Sequence, residues 1–253
     1  MLCGMRVGRR GAGAVRAIAP SGVLLAIARP ARQRMMMAAV SRSGASTQIK
    51  ICGVTNADDA AAAADAGADF VGMIMWQKAK RGVSDDASAA IAQAASSRGA
   101  LPVGVFVDED ASTINRRCAA AGIPVAQLHG DGARDALAGL DPSLRVVWVL
   151  HCTPEGEIVT RLADSGGRQP DWVLIDGLQG GSGQVLDWTK LSPPPSTTGW
   201  LLAGGLKPEN VSQAVSTARP SVVDVSSGVC GPDGLQKDHG KIAAFVKAVK
   251  EAS

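Results

Sequence analysis

The sequence predicts an α/β protein built as a single (β/α)8 TIM barrel. Eight apolar segments of strand length follow one another from Gln48 onward, and their starts lie 21 to 33 residues apart. Each interval has room for one strand, one helix and the loops between them. The strand cores, such as residues 173–175, are apolar without alternation, as expected for parallel strands that are buried on both faces. Eight such units in roughly 200 residues favour a barrel, with a doubly wound open sheet as the alternative.

The predicted strands are short apolar runs bounded by glycine or polar residues. They span residues 48–54, 69–75, 102–107, 125–130, 146–151, 172–176, 199–205 and 222–228.

Local signals mark the helices between these strands. Asn56 can cap a helix over residues 57–66, and Gly67 can end it. Ser84 precedes two aspartates that would lie in the first turn of the next helix, where negative charge favours the positive end of the helix dipole. Three further residues mark helix starts: Asp110, Pro154 and Pro208. The segment after the sixth strand is the weakest helix candidate, because residues 192–195 read Ser-Pro-Pro-Pro.

Charge divides the chain into two parts. Residues 1–46 contain eight arginines and no acidic residue, whereas the remainder has 18 basic and 23 acidic residues, a net charge of −5. An arginine-rich leader without acids is typical of an organellar transit peptide. We therefore expect residues 1–46 to be a disordered transit peptide and residues 47–253 to form the barrel. A basic tail that binds nucleic acid is the alternative for the leader.

Composition excludes several classes of protein. Hydrophobic residues make up 46% of the 253 residues and charged residues 19%, which is globular rather than disordered composition. No uncharged apolar run approaches the roughly 18 residues of a membrane span. The five cysteines are widely spaced and form no Cys-x-x-Cys pair or Cys/His cluster, which argues against a disulfide scaffold and a zinc site.

Polar residues gather where the predicted strands end. In a (β/α)8 barrel these ends share one rim, and the active site lies there. The glycine-rich segment 180–183, the glycines at 204 and 205, and Gly228 would let main-chain N–H groups approach an anion closely. Because barrels often bind phosphate after strands seven and eight, the sequence predicts a phosphorylated small-molecule ligand.

The rim segments resemble those of phosphoribosylanthranilate isomerases, in order along nearly all of residues 48–250. The segments are KICGVT (50–55), GADFVG (67–72), QLHG (127–130), GGSG (180–183), LAGGLKPENV (202–211) and DVSSGV (224–229). Residues 230–238 resemble the plant and algal members, in agreement with a leader for the plastid stroma; a mitochondrial destination is the alternative.

The resemblance implies a reaction and a site. The family converts N-(5-phosphoribosyl)anthranilate to 1-(2-carboxyphenylamino)-1-deoxyribulose 5-phosphate, an Amadori rearrangement in tryptophan biosynthesis, without a metal or organic cofactor. By position, Asp176 matches the general acid that opens the sugar ring, and Cys52 matches the base that removes the C2′ proton. An aspartic acid must be kept protonated for this task and a thiol must be ionised, so each needs a pKa shifted from its usual value.

The remaining site residues are predicted to bind the substrate. Arg81 matches the partner of the anthranilate carboxylate, which its planar fork can hold by two hydrogen bonds. Gln127, His129 and Asp224 match residues that line the substrate site. The expected phosphate contacts are Gly205, Ser226 and Ser227, with Gly204 and Gly228 allowing the main chain to approach.

Other functions fit the sequence less well. A related sugar-phosphate isomerase of histidine biosynthesis resembles a two-aspartate arrangement, which Cys52 disfavours. A non-catalytic phosphate-binding barrel would not need both Cys52 and Asp176. Nucleic-acid binding is disfavoured by the acidic body, and no membrane partner is expected. We expect the protein to be a monomer or a homodimer.

Overall fold

The structure is a computed structural model that describes residues 46–160, 167–178 and 186–253. Its eight parallel strands close into a barrel in the order β1 to β8, each strand pairing with the next and β8 with β1. The strands are β1 (Gln48–Ile51), β2 (Phe70–Ile74), β3 (Leu101–Phe106), β4 (Val125–Leu128), β5 (Arg145–Cys152), β6 (Trp172–Gly177), β7 (Gly199–Leu202) and β8 (Val222–Val225). All eight predicted strands are present, and the (β/α)8 barrel is confirmed.

Helices cover the outside of the barrel. They are α1 (Ala57–Ala66), α2 (Asp85–Ser96), α3 (Ala111–Ala121), α4 (Asp131–Asp135), α5 (Val211–Ala218) and α6 (His239–Ala252). Two short 3₁₀ turns span Leu137–Gly139 and Ser227–Val229. In the described parts of the chain, no helix combines the length and apolar character of a membrane span.

The predicted helix caps are confirmed. The Asn56 side chain accepts a hydrogen bond from the N–H of Asp59, and Gly67 ends α1 in the left-handed conformation with φ of 110°. The Ser84 side chain likewise accepts from the N–H of Ala87 at the start of α2. These bonds satisfy N–H groups that have no partner inside the helix.

The predicted helix start at Pro154 is wrong. After β5 the chain turns back on itself, with the N–H of Thr153 donating to the carbonyl of Glu157 and Cys152 bridging Ile158 in antiparallel fashion. Gly156 adopts φ of 89°, a conformation that most L-residues avoid and that this turn requires. Pro154 therefore lies within a tight turn, at the second of its four positions, where its restricted φ is equally favourable.

Alternation of side chains along each strand divides the core into two parts. One apolar cluster packs between the strands and the helices, and a smaller cluster that includes Phe70, Val125, Trp172 and Leu174 fills the barrel. Because successive side chains point to opposite faces, residues two positions beyond these inner residues also face the barrel interior. This rule directs polar side chains at the ends of β4, β6 and β8 into one cavity.

Candidate active site

A cavity of about 360 Å³ opens at the carboxyl ends of the strands. Ten of the predicted site residues line it: Cys52, Arg81, Gln127, His129, Asp176, Gly204, Gly205, Asp224, Ser226 and Ser227. Part of the wall is apolar and includes Ile74, Trp76 and Val105. The cavity therefore offers both an apolar surface that suits an aromatic ring and a set of polar groups that suits a sugar phosphate.

Gly228 is absent from the cavity wall. It lies in the 3₁₀ turn after β8, where an added Cβ would collide with the carbonyl of Leu206 and approach Lys207 Cα to 3.1 Å. Glycine at this position lets the turn pack directly against the loop that follows β7. The other glycine segment predicted from the sequence, residues 180–183, lies outside the described residues.

Cys52 directly follows β1, and its thiol lies against β2. The N–H of Cys52 donates to the carbonyl of Val225 at 2.8 Å, which continues the pairing of β1 with β8. A Cβ added at Gly72 would lie 2.8 Å from Cys52 Sγ. Glycine at position 72 therefore provides the space that the thiol occupies.

An ion pair lies beneath the thiol. Lys50 is fully buried, and its Nζ donates to both carboxylate oxygens of Asp224 at 3.0 Å. The two residues are direct partners in the register of β1 and β8. Burial by itself lowers the pKa of the Lys50 ammonium, but Asp224 and the Cys52 thiol outweigh that effect and the pKa is raised. Lys50 thus remains charged inside the barrel.

Asp176, at the end of β6, faces the same cavity. Burial, followed by the negative charge of Asp224, raises the pKa of its carboxyl to about 6, although the N–H of Gly177 and the charge of Lys50 oppose this. The N–H of Gly177 donates to Asp176 Oδ1 at 2.8 Å and holds the carboxyl in place. A proton is therefore retained on this carboxyl to much higher pH than on an ordinary aspartic acid.

His129 and Gln127 extend the polar wall from the end of β4. Burial, then the neighbouring His151 and two more distant cations, lowers the pKa of His129 to about 4, so the ring is neutral near pH 7. Its ring meets that of His151 edge to face at 5.1 Å. Gln127 Oε1 is buried and has no hydrogen-bond partner. An acceptor in this state is suited to a donor on a bound ligand, because leaving it unpaired is costly.

Arg81 reaches across the cavity from the loop after β2. Its Nη1 donates to Ser226 Oγ at 2.7 Å, and Ser226 Oγ in turn donates to the carbonyl of Cys52 at 3.0 Å. Gly53 has φ of 70°, and a Cβ there would lie 2.6 Å from Arg81 Nη1. Glycine after the cysteine thus permits the guanidinium to pass over the end of β1.

Lys237 is a residue of this region that sequence reasoning missed as a site component. It is buried, and its Nζ donates to the carbonyls of Cys52 at 2.6 Å and Ser226 at 2.9 Å. Burial lowers its pKa, as does the nearby Arg81, while Cys230 opposes the shift. It ties the chain around Cys52 to the loop after β8. Its distance of 185 residues from Cys52 gives no local sequence signal of this contact.

The loops after β7 and β8 form the end of the cavity that suits an anion. Gly204 and Gly205 adopt φ of 86° and 64°, and a Cβ at Gly204 would lie 3.3 Å from Asp176 Oδ1. Asn210 holds the first loop by donating to the carbonyl of Gly205 and accepting from the N–H of Lys207. Ser226 and Ser227 form the second loop. Within residues 46–160, 167–178 and 186–253, no three His, Cys, Asp or Glu side chains are grouped as metal ligands.

A carboxyl with a raised pKa and a thiol line one cavity of a closed (β/α)8 barrel, an arrangement that indicates an enzyme of the acid–base class. Comparison with protein families matches residues 49–248 to "PRAI: N-(5'phosphoribosyl)anthranilate (PRA) isomerase". The match covers most of the chain, and the chain belongs to this family.

Similar proteins agree with this assignment. The chain is 44% identical over 204 residues to N-(5'-phosphoribosyl)anthranilate isomerase 1, chloroplastic, of Arabidopsis thaliana, covering 80% of this chain and 74% of that protein. The crystal structure of phosphoribosyl anthranilate isomerase from Thermotoga maritima is 29% identical with a TM-score of 0.67, covering 81% of this chain and 99% of that one. A structure of the isomerase in complex with reduced 1-(o-carboxyphenylamino)-1-deoxyribulose 5-phosphate has the same identity and coverage and a TM-score of 0.64.

Proposed function

We propose that this enzyme converts N-(5-phosphoribosyl)anthranilate to 1-(2-carboxyphenylamino)-1-deoxyribulose 5-phosphate, with Asp176 as the general acid and Cys52 as the general base. The observation that carries the proposal is the state of Asp176, whose carboxyl has a pKa of about 6 and lines the same cavity as Cys52. A general acid works best when its pKa lies near the operating pH. With a pKa of about 6, roughly one carboxyl in ten holds a proton at pH 7.

The reaction needs one proton delivered and one removed. Asp176 protonates the furanose ring oxygen, the C1′–O bond breaks, and the nitrogen lone pair forms an open-chain iminium. The Cys52 thiolate then takes the proton from C2′, and that C–H electron pair forms the C1′–C2′ double bond while the iminium becomes an amine. The resulting enol tautomerises to the ketone. Positioned acid and base groups each contribute about 10²–10⁴-fold to such a reaction.

The remaining cavity residues hold the substrate. We assign the anthranilate carboxylate to Arg81, which lines the cavity and donates through Nη1 to Ser226 Oγ. Three groups face the sugar: the Gln127 amide, the neutral His129 ring and the Asp224 carboxylate. The phosphate is assigned to the main chain at Gly205 and to Ser226 and Ser227. Gly204, which has no side chain, allows the main chain to come close to the phosphate. The apolar wall receives the aromatic ring.

The first test is turnover by the full-length chain. The anthranilate-linked substrate fluoresces, so a decay of that fluorescence reports its consumption. Cys52→Ser is expected to lower kcat by at least about 10²-fold with little change in KM, because it removes a proton-transfer group. Cys118→Ser is a matched control, since Cys118 is a buried thiol on α3, away from the cavity. Normal turnover by Cys52→Ser, or loss in Cys118→Ser alone, would contradict the proposal.

We also propose that residues 1–46 are a transit peptide and that the enzyme acts in the plastid stroma. The leader has eight arginines and no acidic residue, and the Arabidopsis relative is described as chloroplastic. Residues 1–45 lie outside the described part of the chain. Fusing residues 1–46 to a fluorescent protein in plant cells tests this proposal, which predicts import into plastids; retention in the cytosol or delivery to mitochondria would contradict it.

The assembly state remains a prediction of monomer or homodimer. A solved relative from Thermotoga maritima is described as monomers generated from a dimeric enzyme. Sedimentation of the full-length chain at micromolar concentration would decide between the two states, and a larger assembly would contradict both.

A further inference from the structure

The ion pair between Lys50 and Asp224 is costly in its position. Lys50 is fully buried and Asp224 is 8% exposed. Removing two charges from water costs several kcal/mol for each ion, and a buried pair is weak evidence for stability, since well-packed apolar residues of similar volume often serve as well. The pair therefore calls for a reason other than stability.

The two ends of the pair face different groups. Lys50 lies on β1 and Cys52 directly follows this strand, two residues further along the chain, so both point into the barrel. Lys50 Cε lies 3.2 Å and Cys52 Sγ lies 2.8 Å from the position that a Cβ at Gly72 would occupy, which brings the lysine chain and the thiol to the same glycine. The Asp224 end lines the cavity together with Asp176.

We infer that the Lys50–Asp224 pair is a positioning element that stabilises the Cys52 thiolate at its positive end and favours the protonated form of the Asp176 carboxyl at its negative end. This inference rests on the proposed function and deepens it. Acid–base catalysis by these two residues makes opposite demands, because the thiol must be ionised while the carboxyl is not. A single pair with a fixed orientation meets both, since the lysine side chain meets the thiol at Gly72 while Asp224 lines the cavity with Asp176.

The electrostatics agree with this geometry. The Cys52 thiol contributes to the raised pKa of Lys50, and after burial the charge of Asp224 is the largest cause of the raised pKa of Asp176. Lys50 itself opposes the shift at Asp176, but less strongly than Asp224 supports it.

Other groups around the two reacting residues act less directly. Near Asp176, burial keeps Cys152 a neutral thiol by raising its pKa to about 11, and His129 is neutral with its pKa near 4. Near Cys52, the charge of Lys237 also interacts with the thiol, although its Nζ donates to the main-chain carbonyl, and Arg81 donates to Ser226. Lys50, two residues before Cys52 in the chain, interacts with the Cys52 side chain itself.

The positive end is tested with Lys50→Met in the full-length chain. At pH 7, we expect alkylation of Cys52 by iodoacetamide, followed by peptide mass spectrometry, to be at least about fivefold slower, because the thiolate is the nucleophile. We expect kcat to fall about 10²-fold while KM changes less than about threefold, because Lys50 lies one layer below the cavity wall.

The negative end is tested with Asp224→Asn. The Asp176 carboxyl carbon is followed by NMR in protein labelled with ¹³C-aspartate and assigned through Asp176→Asn. We expect the titration midpoint of Asp176 to fall from about 6 toward the ordinary value near 4. In Lys50→Met the midpoint is expected not to fall, because the negative charge of Asp224 then lacks its partner.

Controls separate this role from a structural one. Arg145→Met removes a partly buried arginine that pairs with Asp171 at 3.0 Å at the start of β5, the opposite end of the barrel. It is expected to leave the alkylation rate of Cys52 and the titration of Asp176 unchanged. If Lys50→Met does not fold, the double variant Lys50→Met/Asp224→Leu removes both charges. It is expected to fold, to react slowly at Cys52 and to have lost turnover.

The results distinguish the two proposals. An unchanged alkylation rate of Cys52 in Lys50→Met and an unchanged titration of Asp176 in Asp224→Asn, with only a lower unfolding temperature, would overturn the positioning role. So would turnover within about threefold of wild type in the double variant. Full turnover by Cys52→Ser or Asp176→Asn would instead overturn the proposed function itself.

Discussion

Replacing Asp176, the proposed general acid, is expected to make the protein more stable at neutral pH. Asp176→Asn keeps the shape of the side chain and the oxygen that accepts from the N–H of Gly177. It removes a carboxyl whose ionised form is destabilised in the folded protein by burial and by the charge of Asp224. An active site that holds a group against its preferred ionisation state trades stability for function.

The magnitude follows from the pKa of this carboxyl, which is raised from 3.8 to about 6. At about 1.4 kcal/mol for each pKa unit, the difference corresponds to about 3 kcal/mol. Below pH 3.8 the carboxyl is protonated in both folded and unfolded chains, so its stabilising contribution is fully present. That contribution is lost as the pH rises toward and through about 6, since the unfolded chain releases the proton first.

Urea unfolding of full-length wild type and Asp176→Asn at pH 4, 5, 6, 7 and 8 measures this effect. The two free energies should be similar at pH 4 and diverge by up to about 3 kcal/mol in favour of the variant at pH 8, while turnover is lost. Asp187→Asn is the control of opposite sign, because hydrogen bonds from Thr189 and Lys190 lower the pKa of that exposed carboxyl. Equal or lower stability of Asp176→Asn at pH 8 would refute the reasoning.

Three further predictions concern the cavity wall. Arg81→Lys is expected to raise KM about tenfold or more with a smaller change in kcat, because lysine cannot form the paired hydrogen bonds of a guanidinium; unchanged steady-state constants would contradict its assigned role. Gly72→Ala is expected to displace the thiol, since the new Cβ would lie 2.8 Å from Cys52 Sγ, lowering kcat and costing about 1–3 kcal/mol in urea unfolding; full activity would contradict this geometry. His129→Phe is expected to reduce the acid sensitivity of folding. Between pH 6.5 and 4, wild type should lose up to about 3 kcal/mol more stability than the variant, because the pKa of this ring is lowered to about 4 in the folded chain; an equal pH dependence in the two proteins would contradict that source.

Most of the fold could be predicted from local patterns. The strand cores are continuously apolar because both faces of each strand are buried, and Asn56 and Ser84 cap their helices through bonds to residues three positions away. Pro154 misled the prediction because the same restricted φ suits a helix start and a tight turn. The distinction depended on the antiparallel pairing of Cys152 with Ile158, which only the folded chain makes.

The site was predictable in part. The rim position and the resemblance to a family brought Cys52 and Asp176 to attention, and both line the cavity. Gly228 was expected near the phosphate, but it packs against the loop after β7 and is absent from the cavity wall. Lys237 was missed as a site component, since a lysine in a polar segment carries no sign that its Nζ will bind the carbonyl of Cys52.

By itself, the sequence determined the number of strands, the helix caps and the residue types available at the rim, because these depend on periodicity and on contacts within a few residues. Only the tertiary structure decided how those residues affect one another. The pairing of β1 with β8 sets Lys50 opposite Asp224, and burial within the closed barrel then makes their charges strong enough to act on neighbouring groups. A pKa depends on distance and on exclusion of water, and both of these arise when strands far apart in sequence meet.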